Sequence, residues 1–82
     1  MKRKRQLDEL LAGLGAVVSE RRKDLGMSQE ELGQACGLHR TYISDIEHGK
    51  RNFTMGVLYA VAGPLNVTAS ELLDLAEEHD KD

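Results

Sequence analysis

Two short helical patterns flank a glycine in MSQEELGQACGLHRTYISDIE, residues 27–47, and their spacing carries most of the information about the fold. Ser28 and Glu31 have the spacing of a capping box, in which each side chain binds the backbone amide of the other residue at a helix start. This helix should end at about Cys36, because Gly37 can adopt the left-handed conformation that closes a helix. The segment therefore predicts two helices joined by a tight turn.

The second helix of this pair is predicted to begin at His39 and to run to about Glu47. Histidine stands where serine or threonine usually caps a helix, so we expect this helix start to be less well fixed than the others. Leu38, Ile43 and Ile46 are expected to pack on the inner side of the pair. The outer side then carries four polar side chains, which are Arg40, Thr41, Ser44 and Asp45.

The spacing separates this pair from an ordinary helical hairpin. A helix-turn-helix needs a small residue where the second helix crosses the first at close range, and Gly33 is that residue. It also needs a left-handed turn residue four positions later, and Gly37 fits because a Cβ in that conformation costs about 1 kcal/mol or more. Since the glycines and the apolar positions satisfy these requirements together, they indicate a helix-turn-helix.

The helical pattern also extends upstream of this pair. We expect a helix over about residues 7–24, although Gly13 and Gly15 weaken it and allow a start near Leu14. A short basic segment, residues 1–6, precedes this helix and is either a disordered arm that enters a DNA groove or simply a solvated tail. Residues 2–5 together with the apolar run over residues 10–18 are not interpreted as a signal peptide, because Asp8 and Glu9 interrupt the boundary between the basic and apolar parts.

Two more helices are predicted downstream. Thr54 caps a fourth helix that ends at Gly63-Pro64, because proline cannot continue the hydrogen-bond ladder. Thr68 opens a second capping box, with Val67 and Leu72 as its hydrophobic staple, and begins a fifth helix through about Glu78. The expected inner side of the fourth helix comprises Met55, Leu58, Tyr59, Val61 and Ala62.

These helices predict an all-α fold, a compact five-helix bundle that forms one domain over residues 1–82. No alternating segment is long enough to predict a strand. The acidic tail, residues 79–82, is expected to be frayed.

Composition narrows the function classes. The chain has 82 residues and one cysteine, so a large enzyme and an internal disulfide are excluded, and a reducing cytoplasm is expected. The net charge is −3, but ten of the eleven basic residues lie in residues 1–53, where there are eight acidic residues. Residues 54–82 hold one basic and six acidic residues. We therefore expect a polyanion to bind residues 1–53 and not residues 54–82.

No catalytic, metal or cofactor site is expected. Cys36 and His39 have a spacing that metal ligands use, but no second pair completes a tetrahedral site. Gly13-Leu14-Gly15 begins like a dinucleotide-binding motif, but Val18 replaces the third glycine and no strand precedes it. No histidine stands in an arrangement that predicts nucleophilic or acid–base catalysis.

Residues 26–32 and 37–51 resemble the Cro and phage-repressor (Xre) helix-turn-helix family, and the similarity extends over about residues 14–73. His39 to Ser44 look most like the controller proteins of restriction-modification systems, which are small homodimeric regulators. The resemblance implies a lambda repressor-like DNA-binding domain in a bacterial or phage cytoplasm. It also implies a transcriptional regulator with a double-stranded DNA operator as partner and without enzymatic activity.

The resemblance implies roles for individual residues. Arg40, Thr41, Ser44 and Asp45 match positions that meet base edges, and arginine can bind guanine in bidentate fashion. Arg22 and Glu47 match a buried ion pair. The expected phosphate contacts are Gln29, through its side chain and the free amides of its helix, and Tyr42, Lys50, Arg51 and Asn52.

Asp45 is an unfavourable residue on a surface that faces DNA, because its carboxylate repels the phosphates. It should accept a hydrogen bond from a cytosine amine or be paired with Arg40 or a neighbouring base, and both possibilities stay open.

One motif reads few base pairs, so a homodimer on an inverted repeat is expected, with half-sites about 34 Å apart. The predicted dimer interface comprises Phe53, Leu65, Val67, Leu72, Leu73 and Leu75. RNA polymerase is a further possible partner, with Glu30 or Glu31 as candidate contacts. The acidic fifth helix motivates an alternative, an antitoxin-like protein-interaction module that keeps the fold as a scaffold.

Overall fold

A computed structural model of the chain describes the backbone of residues 2–80 and the side chains of residues 6–79. Five helices follow one another and form a body of 36 × 20 × 19 Å. They are α1 (Lys2–Asp24), α2 (Gln29–Cys36), α3 (Arg40–Glu47), α4 (Met55–Ala62) and α5 (Ala69–Asp80). The all-α, five-helix architecture predicted from the sequence is confirmed.

The ends of the helices follow local capping chemistry. The Glu31 amide donates to Ser28 Oγ at 3.0 Å and the Ser28 amide donates to Glu31 Oε1 at 2.8 Å, which completes the capping box. The same reciprocal pair joins Thr68 and Glu71. Thr54 Oγ1 accepts from the Val57 amide at 3.1 Å and caps α4. These starts were predictable because each depends on residues within one helical turn.

The first helix is longer than expected. It begins at Lys2, so residues 2–6 are helical and do not form a disordered arm. The predicted starts at residue 7 and near Leu14 were therefore both wrong. The two glycines that suggested the later start, Gly13 and Gly15, do not mark a helix end but the points where neighbouring helices cross α1 closely. A Cβ built on Gly15 would lie 2.5 Å from the Ile46 carbonyl oxygen, and one on Gly13 would lie 2.5 Å from that of Ala76.

At the other end of the chain, α5 includes His79 and Asp80, so the expectation of a frayed tail was wrong for these two residues. The structure does not describe residues 81 and 82 or the side chains of residues 2–5. The DNA contact considered for the basic arm would involve these side chains, so it lies outside the described residues.

Aliphatic side chains from all five helices form the core. Helix α1 packs along α5 on one side and against α3 on the other, and α2 packs against α3. The inner residues predicted for α4 were correct for Leu58, Val61 and Ala62. Met55 and Tyr59, expected to face inward, are 67% and 66% exposed. The fully buried large side chains are Val18, Leu32, Ile43, Ile46, Val61, Leu65 and Leu72.

Candidate nucleic-acid interface

The turn between α2 and α3 has the geometry that the sequence predicted. Gly37 adopts the left-handed conformation with φ 76°, and the Leu38 amide donates to the Gly33 carbonyl at 2.8 Å. A Cβ on Gly33 would collide with the Leu38 carbonyl oxygen, so glycine is required at this crossing. The two glycines therefore fix the angle at which α3 leaves α2.

The start of α3 is better fixed than expected. The Nδ1 atom of His39 accepts a hydrogen bond from the Thr41 amide at 3.0 Å, and the His39 backbone is extended, as in a conventional cap. The imidazole therefore replaces the hydroxyl of serine or threonine, and the expectation of a loose helix start was wrong.

Helix α3 has a buried face and a free face. Ile43 and Ile46 are fully buried and pin the helix to the core. On the other side Arg40 and Thr41 are exposed, whereas Ser44 and Asp45 are half-buried. The four side chains predicted to meet base edges thus lie together on α3. Two of them, Arg40 and Thr41, are exposed to solvent.

Asp45 has a partner that the sequence did not indicate. Its Oδ2 atom lies 3.3 Å from Nε of Arg51, and the partner expected for it was Arg40 or a base. The Arg51 guanidinium in turn stacks on the Tyr42 ring, 4.4 Å from the ring centroid. Arg51 and Tyr42, both predicted as independent phosphate contacts, are therefore joined with Asp45 in one cluster.

The loop after α3 carries the remaining basic residues. Gly49 is left-handed with φ 71°, and the Lys50 amide donates to the Asp45 carbonyl at 2.9 Å, which turns the chain back along α3. Lys50, Arg51 and Asn52 are all exposed after this turn. The loop thus presents its two cations beside the free face of α3.

Gln29 is oriented differently from the prediction. Its Nε2 atom donates to Glu47 Oε1 at 3.0 Å, so the side-chain amide is directed into the protein. The spacing gave no warning of this contact, because Glu47 lies eighteen residues further along the chain. The Glu31 amide in the first turn of α2 already donates to Ser28 Oγ, so the phosphate contact of this helix start stays a prediction for the Gln29 and Glu30 amides.

Arg22 and Glu47 form the expected ion pair between α1 and the end of α3. Arg22 Nε donates to Glu47 Oε2 at 2.6 Å and Nη2 donates to Oε1 at 3.0 Å, with side chains only 10% and 5% exposed. Arg22 Nη1 also donates to the Met27 carbonyl at 2.8 Å. One arginine therefore connects α1, the loop before α2, and α3.

The environment of Glu47 favours its charged form. Burial by itself would raise the pKa of Glu47, but hydrogen bonds from Arg22, Gln29 and Ser19 and the charge of Arg22 outweigh burial and hold the pKa below its ordinary value. A carboxylate with a lowered pKa stabilises the fold above its ordinary pKa, and this contribution is lost as the pH falls through the folded-state value.

This linkage predicts an acid-dependent loss of stability. Between about pH 5 and about pH 3, the native chain should lose more free energy of unfolding than Glu47→Gln, which cannot titrate at this position. Urea unfolding at a series of pH values measures both slopes. Equal slopes in the two proteins would show that Glu47 does not couple folding to protonation.

The predicted dimer interface needs a correction. Leu65 and Leu72 are fully buried inside this chain, so neither can contact a partner. The staple of Val67 and Leu72 already placed Leu72 inside, and this signal was available in the sequence. Phe53, Val67, Leu73 and Leu75 are partly buried and remain accessible. An apolar groove also connects Leu7 and Leu10 with Phe53, Met55 and Leu73.

Other kinds of site find no support in the described part of the chain. Among these residues, no group of three or more histidine, cysteine or acidic side chains could hold a metal ion. Burial raises the pKa of the Cys36 thiol, which makes it a poorer nucleophile. No helix described here has both the length and the apolar character needed to cross a membrane.

Comparison with known proteins gives consistent matches. Control protein C.BamHI from Bacillus amyloliquefaciens is 50% identical over 48 residues, which is 58% of this chain and 59% of that protein. The match therefore spans less than two thirds of that relative. The regulator ClgR from Corynebacterium glutamicum superposes with a TM-score of 0.83 at 26% identity, over 88% of this chain and 77% of that one.

The controller protein C.Esp1396I, solved as a tetramer with its natural 35 base-pair operator, superposes with a TM-score of 0.78 at 32% identity. This match covers 89% of this chain and 96% of that one. The helix-turn-helix family HTH_3 matches residues 18–72, which include α2, its glycine turn and α3. The chain therefore belongs to the Xre-type helix-turn-helix family of transcription regulators.

Proposed function

We propose that the protein is a sequence-specific regulator of transcription that binds double-stranded DNA through the free face of α3. The observation that carries this proposal is the division of α3, with Ile43 and Ile46 fully buried and Arg40 and Thr41 exposed on the other side. A helix held in this way fits the major groove of DNA, where each of the four kinds of base pair presents a different pattern of hydrogen-bond donors and acceptors.

The surroundings of α3 supply the phosphate contacts. Lys50 and Asn52 are exposed in the loop that follows the helix, and the free amides at the start of α2 favour an anion. Arg40 is the side chain proposed to read a base directly, since its guanidinium is exposed and can bind guanine O6 and N7. Thr41 offers a methyl group to thymine.

We further propose that two copies bind an inverted-repeat operator, as a controller protein of a restriction-modification system would. A single α3 reads few base pairs, whereas a two-fold dimer places two such helices about 34 Å apart on one side of the duplex. Of the residues predicted for the dimer interface, the half-buried Phe53, Val67, Leu73 and Leu75 are accessible for this contact. RNA polymerase remains a proposed partner if binding activates transcription.

Two substitutions separate base reading from charge. Arg40→Ala is expected to lose discrimination of about 1–3 kcal/mol at one base pair in each half-site, because the bidentate donor is gone. Lys50→Ala should weaken binding to all sequences alike and lower the salt slope by about one, because one phosphate contact is lost. Binding of both variants to the preferred duplex and to single-base variants of it, at several salt concentrations, measures the difference.

Selection from random duplex DNA tests the whole proposal. A symmetric consensus would support both sequence-specific binding and the dimer. Recovery of no consensus, with duplex binding no tighter than about 10⁻⁵ M at physiological salt, would contradict it. A stoichiometric protein partner together with that result would favour the antitoxin-like interaction module.

A further inference from the structure

Three side chains at the carboxyl end of α3 form what we call the Arg51 cluster, which consists of Tyr42, Asp45 and Arg51. Tyr42 and Asp45 are three positions apart on the helix, so they lie on the same face. The left-handed Gly49 then reverses the chain and brings Arg51 back beside both of them. The cluster thus stands where the free face of α3 meets the basic loop.

Arg51 is held at two points. Its Nε donates to Asp45 Oδ2 at 3.3 Å, and its guanidinium carbon lies 4.4 Å from the centre of the Tyr42 ring, within the range of a cation–π contact. The two terminal amino groups of Arg51 have no hydrogen bond to any side chain or carbonyl that the structure describes. An otherwise mobile side chain therefore presents its remaining donors from a restricted position.

The pair with Asp45 has opposite effects on two kinds of DNA binding. Attraction to DNA of any sequence depends mainly on positive charge, and Asp45 offsets the charge of Arg51 at contact distance. Binding to a preferred sequence depends on donors that are already in place, because fewer conformations are then lost on binding. The carboxylate therefore weakens the first kind of binding and supports the second.

We propose that Asp45 is a positioning residue for Arg51 and that it raises the ratio of operator binding to random-DNA binding. This inference depends on the function proposed above. In the bound complex Asp45 keeps its contact with Arg51, Tyr42 supports the guanidinium from one face, and the free amino groups donate to acceptors on the duplex. Asp45 itself does not read a base.

A double-mutant experiment tests this assignment. Asp45→Asn is made in the native chain and in Arg51→Gln, and every protein is titrated with the same two duplexes, the operator that the native chain selects from random DNA and a random duplex. In the native background, Asp45→Asn should tighten random-duplex binding several-fold and steepen its salt slope by about one. It should also lower the ratio of operator to random binding by about two- to fivefold, the range that an exposed ion pair supports.

The Arg51→Gln background separates the mechanisms. There, Asp45→Asn should leave the ratio of operator to random binding unchanged, because the residue through which Asp45 acts is absent. An equal fall of the ratio in both backgrounds would overturn the proposal, since Asp45 would then contact DNA itself. No fall in either background would overturn it as well.

The free protein supplies an independent measurement. The Tyr42 ring should shift the NMR resonances of the Arg51 side chain, and Asp45→Asn should move them towards the values of an unrestrained arginine. Asp74→Asn, which changes an exposed carboxylate on α5, is the matched control and should not move them. If the resonances stay fixed in Asp45→Asn while operator binding is intact, only the positioning role is refuted. A chain that binds no duplex refutes the proposed function, whatever these resonances show.

Discussion

Replacement of Glu47 by alanine is expected to lower the free energy of unfolding by about 3–5 kcal/mol. The change removes the acceptor of two Arg22 hydrogen bonds and of the Gln29 amide, and it leaves the Arg22 guanidinium nearly buried without its counter-ion. A buried charge without a partner is costly because little water reaches it. Urea or thermal unfolding followed by circular dichroism measures the loss.

Two further variants identify the cause of the stability loss in Glu47→Ala. Glu77→Ala removes an exposed carboxylate from α5 and should change stability by no more than about 0.5 kcal/mol. Arg22→Met combined with Glu47→Leu removes both charges and should recover much of the stability lost in Glu47→Ala. If Glu47→Ala costs no more than Glu77→Ala, the buried pair does not stabilise the contact between α1 and α3.

Gly15→Ala is the second substitution expected to have a large effect. Alanine normally stabilises a helix by about 1 kcal/mol relative to glycine. Here the added Cβ would lie 2.5 Å from the Ile46 carbonyl oxygen and 2.6 Å from that of Glu47, and both are backbone atoms at the end of α3. Helix α3 would have to move away from α1, and we expect a net destabilisation of about 1–3 kcal/mol.

Gly56→Ala is the matched control within α4. A Cβ at Gly56 would meet only the Thr54 hydroxyl oxygen, at 3.9 Å, so it fits without displacement. This variant should therefore be more stable than the native chain by about 0.5–1 kcal/mol. Unfolding of the two variants under the same conditions gives the comparison, and a stabilised Gly15→Ala would show that α1 and α3 do not cross as closely as described.

The sequence predicted those parts of the fold that depend on neighbouring residues. The capping boxes at Ser28 and Thr68 and the turn at Gly37 are local, so their positions followed from spacing alone. The buried and free faces of α3 also followed, because its apolar and polar residues are clearly separated.

Contacts between distant segments were not predictable in the same way. Helix α4 is short and apolar on almost every side, so its sequence did not show that Met55 and Tyr59 face outward. Gln29 and Asp45 were assigned to DNA because they lie at helix positions that usually face it. Their observed partners, Glu47 and Arg51, depend on how α3 and the following loop pack, which spacing does not encode.

The burial of Leu65 and Leu72 within a single copy affects how this protein could respond to its own abundance. Both side chains are enclosed by their own chain, so their burial does not depend on a second copy, and a folded subunit is expected to exist before pairing. Pairing would then follow the law of mass action between folded subunits, and substitutions at the surface could adjust the dose at which pairing occurs while the subunit stays intact. If two copies pair on DNA as proposed, occupancy of the operator would rise more steeply than the concentration of the chain.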